Sequence, residues 1–292
     1  MVIFFSLCAA FFFGISDFFT RVGLRYSNAR SAVFFTTIAG LIVPAIICIF
    51  SVSLNVLNLP GVLYFILTGF VGAFIARYLL YVGMEKVGVS IAVSLANMRP
   101  LFASIIAVLL LGEKLTLPIA GATIMIIAGA VAISWDKSGG YVEKAWSRRD
   151  LIFPLSAGLS YGLAYVIRKL GLINMPHPIV GVVIQSTAAL VCFILAAPLQ
   201  RSQQRVEFRN PRAWFIYGIS GLLAFFANYC TFSALSLGQV VIVAPLVSLN
   251  PLVTLILTWI FLRKVERVTE KIFLGALLII CGAVILSLLK LS

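Results

Sequence analysis

The chain has 292 residues, of which 62% are hydrophobic and only 11% charged, and its mean hydropathy is +1.13. A soluble domain carries roughly a quarter charged residues, and so much apolar surface does not fit inside a water-soluble particle of this size. A soluble enzyme, a disordered protein and a secreted disulfide scaffold are therefore excluded, and a polytopic membrane protein remains. The net charge of +13 does not point to nucleic acid. Its basic residues sit in short gaps between apolar runs, the pattern of cytoplasmic loops facing anionic lipid.

A bilayer core about 30 Å thick needs about 20 mostly apolar residues per helix. Ten such runs follow one another, at roughly 2–22, 32–51, 61–84, 89–111, 117–135, 151–170, 179–198, 212–235, 239–262 and 272–290. The runs are continuous rather than alternating, so they predict helices and not a β-barrel. The first run contains Asp17 and lacks a basic leader, unlike a removed signal peptide. The longest gaps, 136–150 and 199–211, are too short for a folded domain, and no Walker or dinucleotide fingerprint appears in them. Transport by such a chain would draw on gradients, with no cofactor. Cys8, Cys48, Cys192, Cys230 and Cys281 are scattered singly, and His177 stands alone between two prolines, so no metal site is expected.

The chain contains a duplication. At an offset of 151, Ala73–Tyr78 (AFIARY) falls on Ala224–Tyr229 (AFFANY), and Arg99-Pro100-Leu101 falls on Asn250-Pro251-Leu252. Over 73–111 there are 11 identities in 39 ungapped positions. A two-residue slip then aligns Gly129-Ala130-Val131 with Gly282-Ala283-Val284, and Glu113 with Glu266. Earlier matches are Gly14 with Gly162 and Gly23 with Gly171. Two halves are expected, 1–136 and 151–292, joined by a linker at 137–150. Five spans per half is an odd number, so the second copy would be inverted, the architecture common among alternating-access carriers. The expected fold class is all-α integral membrane, ten helices in two inverted five-helix repeats.

With these motifs the chain resembles the drug/metabolite transporter superfamily. The fourth span with its central Pro100, then Leu111-Gly112-Glu113-Lys114-Leu115 and a Gly-rich fifth span, resembles the EamA-type repeat; Ile260–Arg267 (IFLRKVER) is a weaker second copy. The resemblance implies a ten-helix secondary carrier in the cell membrane, often an exporter of amino acids or other metabolites. Where the superfamily usually has an acidic or polar residue before that proline, this chain has Arg99.

An ionisable group deep in a bilayer costs about 2.5 kcal/mol or more and calls for a function or a partner. Arg99 lies mid-span and cannot readily snorkel to the headgroups. Pro100 removes a helical donor beside it, and Pro251 does the same beside its counterpart Asn250. Arg77 has the counterpart Asn228, so both polar positions are Arg in the first half and Asn in the second. Such an asymmetric cavity suits a substrate carboxylate on its Arg side. Tyr78, Asn97, Tyr161, Tyr165 and Gln185 are further candidates for its lining, although each singly is more often an interhelical hydrogen bonder; Ser16 belongs with them. Asp17 admits two readings, an i,i+4 pair with Arg21 or a proton-coupling carboxylate. Trp135, Tyr141, Trp146 and Trp214 lie near span ends as interface anchors, and Trp259 lies deeper.

Apart from Arg77 and Arg99, 20 basic residues remain; the gaps after odd-numbered spans hold 16, against Lys114, Arg168, Lys169 and Lys290 elsewhere. The positive-inside rule then places both termini outside. A secondary transporter exporting a small polar or amphipathic metabolite is the leading expectation. Protons are the candidate coupling ion, and the carrier would be a monomer or homodimer. A channel or uniporter is the alternative, although no polar helix face or ring is present. A lipid enzyme would need a nucleophile, a metal cluster or paired carboxylates, which this sequence does not offer.

Overall fold

The structure, a computed structural model, describes residues 1–87, 89–136, 147–196, 206, 210–261 and 270–289. Within lipid every backbone donor and acceptor must be satisfied internally, and the described residues accordingly form helices with no strand. The first half holds α1 (Val2–Gly23), α2 (Ala29–Ser51), α3 (Leu59–Thr68), a π-helical stretch (Gly69–Ile75), α4 (Ala76–Val87), α5 (Val89–Ala96), α6 (Arg99–Leu111) and α7 (Leu117–Asp136). The second holds α8 (Ile152–Asn174), α9 (Pro178–Ala196), α10 (Pro211–Leu237), α11 (Val240–Val247), α12 (Asn250–Phe261) and α13 (Glu270–Leu289). Eight helical stretches among the described residues are long and apolar enough to cross a bilayer, while Leu117–Ala132 and Leu274–Leu289 form shorter apolar helices.

The two halves interlock rather than stand apart. α1 packs along α10, and α8 along α3, the π-helical stretch and α4. α2 packs on α10 as α9 does on α3 and the π-helical stretch, while α7 meets α13 and α2 meets α9. Each contact thus has an equivalent with the halves exchanged, which is pseudo-two-fold symmetry. Individual residues obey it. A methyl on Gly14 would sit 2.9 Å from the Asn250 carbonyl oxygen, and one on Gly162 would sit 3.0 Å from that of Arg99. One on Gly282 would press on the Ala122 oxygen at 2.7 Å, as one on Gly129 would on that of Gly275. The caps repeat too. Asn58 caps α3 and donates to the Asn174 carbonyl at the end of α8; Asn210 caps α10 and donates to the Tyr26 carbonyl beyond α1. Such asparagine caps contribute about 1 kcal/mol each.

The π-helical stretch marks where the copies differ by one residue. Asn58 pairs with Asn210, Phe65 with Tyr217 and Gly69 with Gly221 at an offset of 152, yet the motif from Ala73 onward pairs at 151. The first copy therefore carries one extra residue between Gly69 and Ala73. A π-bulge absorbs one added residue without ending the helix, so α4 leaves the stretch in register with α10.

Two expectations need correcting. Arg168 and Lys169 do not lie in a gap: α8 continues to Asn174 and carries both inside it. Lys169 Nζ donates to the carbonyls of Leu235 at 2.7 Å and Gly238 at 2.9 Å, satisfying the end of α10. The pair of Asp17 with Arg21 does not form; Asp17 bonds elsewhere, as described next. Glu266, Tyr141 and Trp146, and the side chains of Trp135 and Trp259, lie outside the described residues. Trp214 stacks on Phe35 with ring centres 5.4 Å apart.

Candidate substrate site

The fourth span of each half is broken at its centre. α5 ends at Ala96 and α6 begins at Arg99; α11 ends at Val247 and α12 begins at Asn250. Proline explains both restarts. It cannot donate within a helix, but its fixed φ suits a first turn, which is where Pro100 and Pro251 stand. The chain crosses each break through tightened three-residue turns, with Met98 N donating to Leu95 O at 3.1 Å and Leu249 N to Leu246 O at 3.3 Å. Arg99 and Asn250 are thereby presented mid-span, on the first residues of two half-helices.

These two equivalent residues touch. Arg99 Nη2 donates to Asn250 Oδ1 at 2.8 Å. Under a two-fold exchange of halves, residues that are each other's equivalents meet only at the axis, so the pair marks the molecular centre. Asn250 Nδ2 in turn donates to Asp17 Oδ2 at 2.8 Å, and Arg99 Nε to Ser248 Oγ at 3.3 Å. The amide is interposed between carboxylate and guanidinium, accepting from one and donating to the other. Ser248 Oγ passes its own proton to the Ala244 carbonyl at 2.9 Å, within α11.

The charges here face open space. Asp17 is exposed even though α1 packs against α10, α11 and α12; Arg77 and Arg99 are half-buried, and Asn250 is only 9% exposed. Asp17 lies within electrostatic reach of Arg99, Arg21 and Arg77, and Tyr161 on α8 within reach of Arg77, Arg99 and Asp17. Arg77 Nη1 makes a long hydrogen bond, 3.4 Å, to Thr37 Oγ1. Arg99 Nη1 has no hydrogen-bond partner among the described residues.

The remaining candidates divide. Asn97 is buried at the α5–α6 break. Gln185 and Tyr165 come together around Arg168: Arg168 Nε donates to Gln185 Oε1 at 2.8 Å, and its guanidinium lies 5.5 Å from the centre of the Tyr165 ring and 5.4 Å from that of Phe232. Asn228 turns back on its own helix, donating to the Ala224 carbonyl at 2.8 Å. Tyr78 is 56% exposed and makes none of these bonds. Ser16 is buried against Ser220, its hydroxyl 2.9 Å from both Oγ and the carbonyl of that residue, tying α1 to α10.

One positioning residue had no role assigned from sequence. Glu113 is buried, and its two carboxylate oxygens accept from Val240 N at 2.8 Å and Val241 N at 2.9 Å. A carboxylate on the first amides of a helix satisfies orphan donors and complements the dipole. The Glu of the first half's Leu-Gly-Glu motif thus anchors α11, the half-helix of the other half that leads to Ser248 and Asn250. The signal was present in the motif's place just beyond the fourth span.

The profile of the EamA-like transporter family matches residues 1–135 and again 149–288. The chain belongs to the EamA-like transporter family. No curated sequence matches it. A crystal structure of another protein shares its fold: it superposes with a TM-score of 0.77 at 15% identity, covering 99% of this chain and 96% of that one. As an EamA-like transporter the chain is a multi-pass membrane protein of the drug/metabolite transporter type, working in a lipid bilayer on a small-molecule substrate. The family's repeat occurs in it twice, and the broken spans of the two copies meet at Arg99 and Asn250.

Proposed function

We propose that this transporter is a secondary carrier that exports a small polar or amphipathic metabolite, an amino acid or a related compound, across the cytoplasmic membrane by alternating access, without enzymatic activity. The observation that carries the reading is the hydrogen bond between Arg99 and Asn250, equivalent residues at the restarts of two broken helices. A site on the axis between repeats stays in place while the halves exchange conformations around it, which is how inverted-repeat carriers expose one site to either side. The moving units are the repeats 1–136 and 151–292, joined through 137–150. Arg99 receives an anionic group of the substrate on its unspent donors. Arg77, Tyr161 and Asn97 line the same space, and Asn250 relays the occupancy of Arg99 to Asp17. Asp17, exposed to that space and bonded to an amide rather than to a cation, is the proton-coupling carboxylate. Both termini face outward. Arg168 and Lys169 lie inside α8, so the excess of basic residues in the odd gaps becomes more lopsided and supports that orientation.

The experiment is flux in reconstituted liposomes, using whichever compound of a metabolite panel gives uptake. Arg99→Ala is expected to fold and to lower flux at least tenfold. Wild-type flux from a well-folded Arg99→Ala protein would remove Arg99 from the site.

A further inference from the structure

Arg168 is a cation that no described residue of the protein compensates. It stands in α8, about six residues or 9 Å from the helix end, half-buried over the rings of Tyr165 and Phe232. Its Nε is spent on Gln185, a buried residue, and neither Nη group has a hydrogen-bond partner among the described residues. Its charged neighbours are Arg99 and Arg77, both of its own sign. No carboxylate pairs with it among the described residues.

The repeat sharpens the imbalance. The position of α1 equivalent to Arg168 is Thr20, which bonds Ser220 Oγ at 2.7 Å and carries no charge. The position of α8 equivalent to Asp17 is Tyr165, whose ring lies under the guanidinium of Arg168. Packing between the repeats is therefore met on one side by a neutral hydroxyl pair. The other side holds a guanidinium fixed by an amide and two rings, with its two-pronged end left over. Guanidinium ends of this kind bind carboxylate or phosphate bidentately, and an unpaired cation at this depth is costly without such a partner. Arg99, whose Nη1 has no partner among the described residues, supplies a second such end at the axis.

We propose that Arg168 is a second anion contact, and that the substrate is a small organic molecule with two negative charges, one received by Arg99 and the other by Arg168. The assignment rests on the carrier reading and narrows its substrate to dicarboxylates, acidic amino acids or phosphate esters. Tyr165, Phe232 and Gln185 are positioning residues that hold the guanidinium in place. A monoanion of the same length satisfies one arginine and leaves the other uncompensated, so the site discriminates by charge number.

The test is binding, measured by titration calorimetry on the purified full chain, and so is independent of whether flux is observed. Succinate is compared with butyrate, and glycerol 3-phosphate with the monoanion glycerate. At least one dianion is expected to bind tenfold or more tightly than its partner compound; which one does so assigns the second charge to carboxylate or phosphate. Arg168→Gln is expected to erase that preference by weakening the dianion at least tenfold, and Arg168→Lys to keep part of it. Equal binding within both pairs, or a preference that survives intact in Arg168→Gln, would overturn the proposal. If Arg168→Gln does not fold, Arg168→Lys decides: an unaltered preference there contradicts bidentate contact. Dianion preference in a protein that shows no carrier kinetics would instead fault the carrier reading alone.

Discussion

Asn250 stands between Asp17 and Arg99 and bonds both, so the central charges interact through an amide rather than as an ion pair. A direct pair at this depth would hold strongly and, with Arg99 as the proposed substrate contact, would compete for the guanidinium. An amide is a weaker partner, and it transmits a change at one end to the other. This organisation sets the expectation for Asp17→Asn. The variant keeps an oxygen to accept from Asn250 Nδ2 but cannot take up a proton from carboxylate. Its flux under a pH gradient should fall to the level measured without one, while substrate exchange persists; undiminished gradient-driven flux would return Asp17 to a structural role. The residue types at this centre were legible in the sequence, because an arginine and a proline mid-span are rare and the repeat paired them with Asn250 and Pro251. Their bonding was not legible. Spacing alone joined Asp17 to Arg21 on one helix, whereas the fold brings Asn250 from 233 residues away. Asn228 and Tyr78 show the converse: the repeat singled them out, and the helix faces turn one onto its own backbone and leave the other exposed.

At the scale of elements, two half-helices per span need anchors at both ends. Proline and the tightened turns serve the inner end, and for α11 Glu113 serves the outer one. Glu113→Gln keeps one acceptor but turns an amide donor toward a backbone donor. It should cost about 1–3 kcal/mol and lower the thermal midpoint of the purified protein, and an unchanged midpoint would show that α11 is held by its packing alone. The spans themselves were readable by hydropathy, with ends displaced by up to four residues, as where α8 runs to Asn174 rather than 170. The missed turn is 171–174, and it places Arg168 and Lys169 a full turn inside the span rather than at its edge. Two adjacent cations at a span end count with the following gap because hydropathy cannot see that one rests on aromatic rings and the other caps α10. The π-helical stretch was equally hidden: a one-residue insertion shows in sequence only as a change of offset, and contacts such as those of Gly69 and Gly221 were needed to locate it.

At the scale of the molecule, alternating access as proposed above would make the two pseudo-two-fold halves alternative hosts for the same pair of conformations, and Arg99 against Asn250, and Arg168 against Thr20, would make those conformations unequal. Biases of this kind would set which side the unloaded carrier faces, and substrate would shift the balance only through its differential affinity for the two states. The proposed orientation of the whole rests on the charges of the loops. Reporters active on one side of the membrane, fused to each terminus, should report both termini outside, and cytoplasmic signals at both would reverse the assignment. The most direct test of carriage by alternating access is counterflow. In liposomes preloaded with unlabelled substrate, external labelled substrate should accumulate transiently and saturably, and Arg99→Ala should abolish that overshoot. Uptake that is linear in concentration and shows no overshoot would contradict the account.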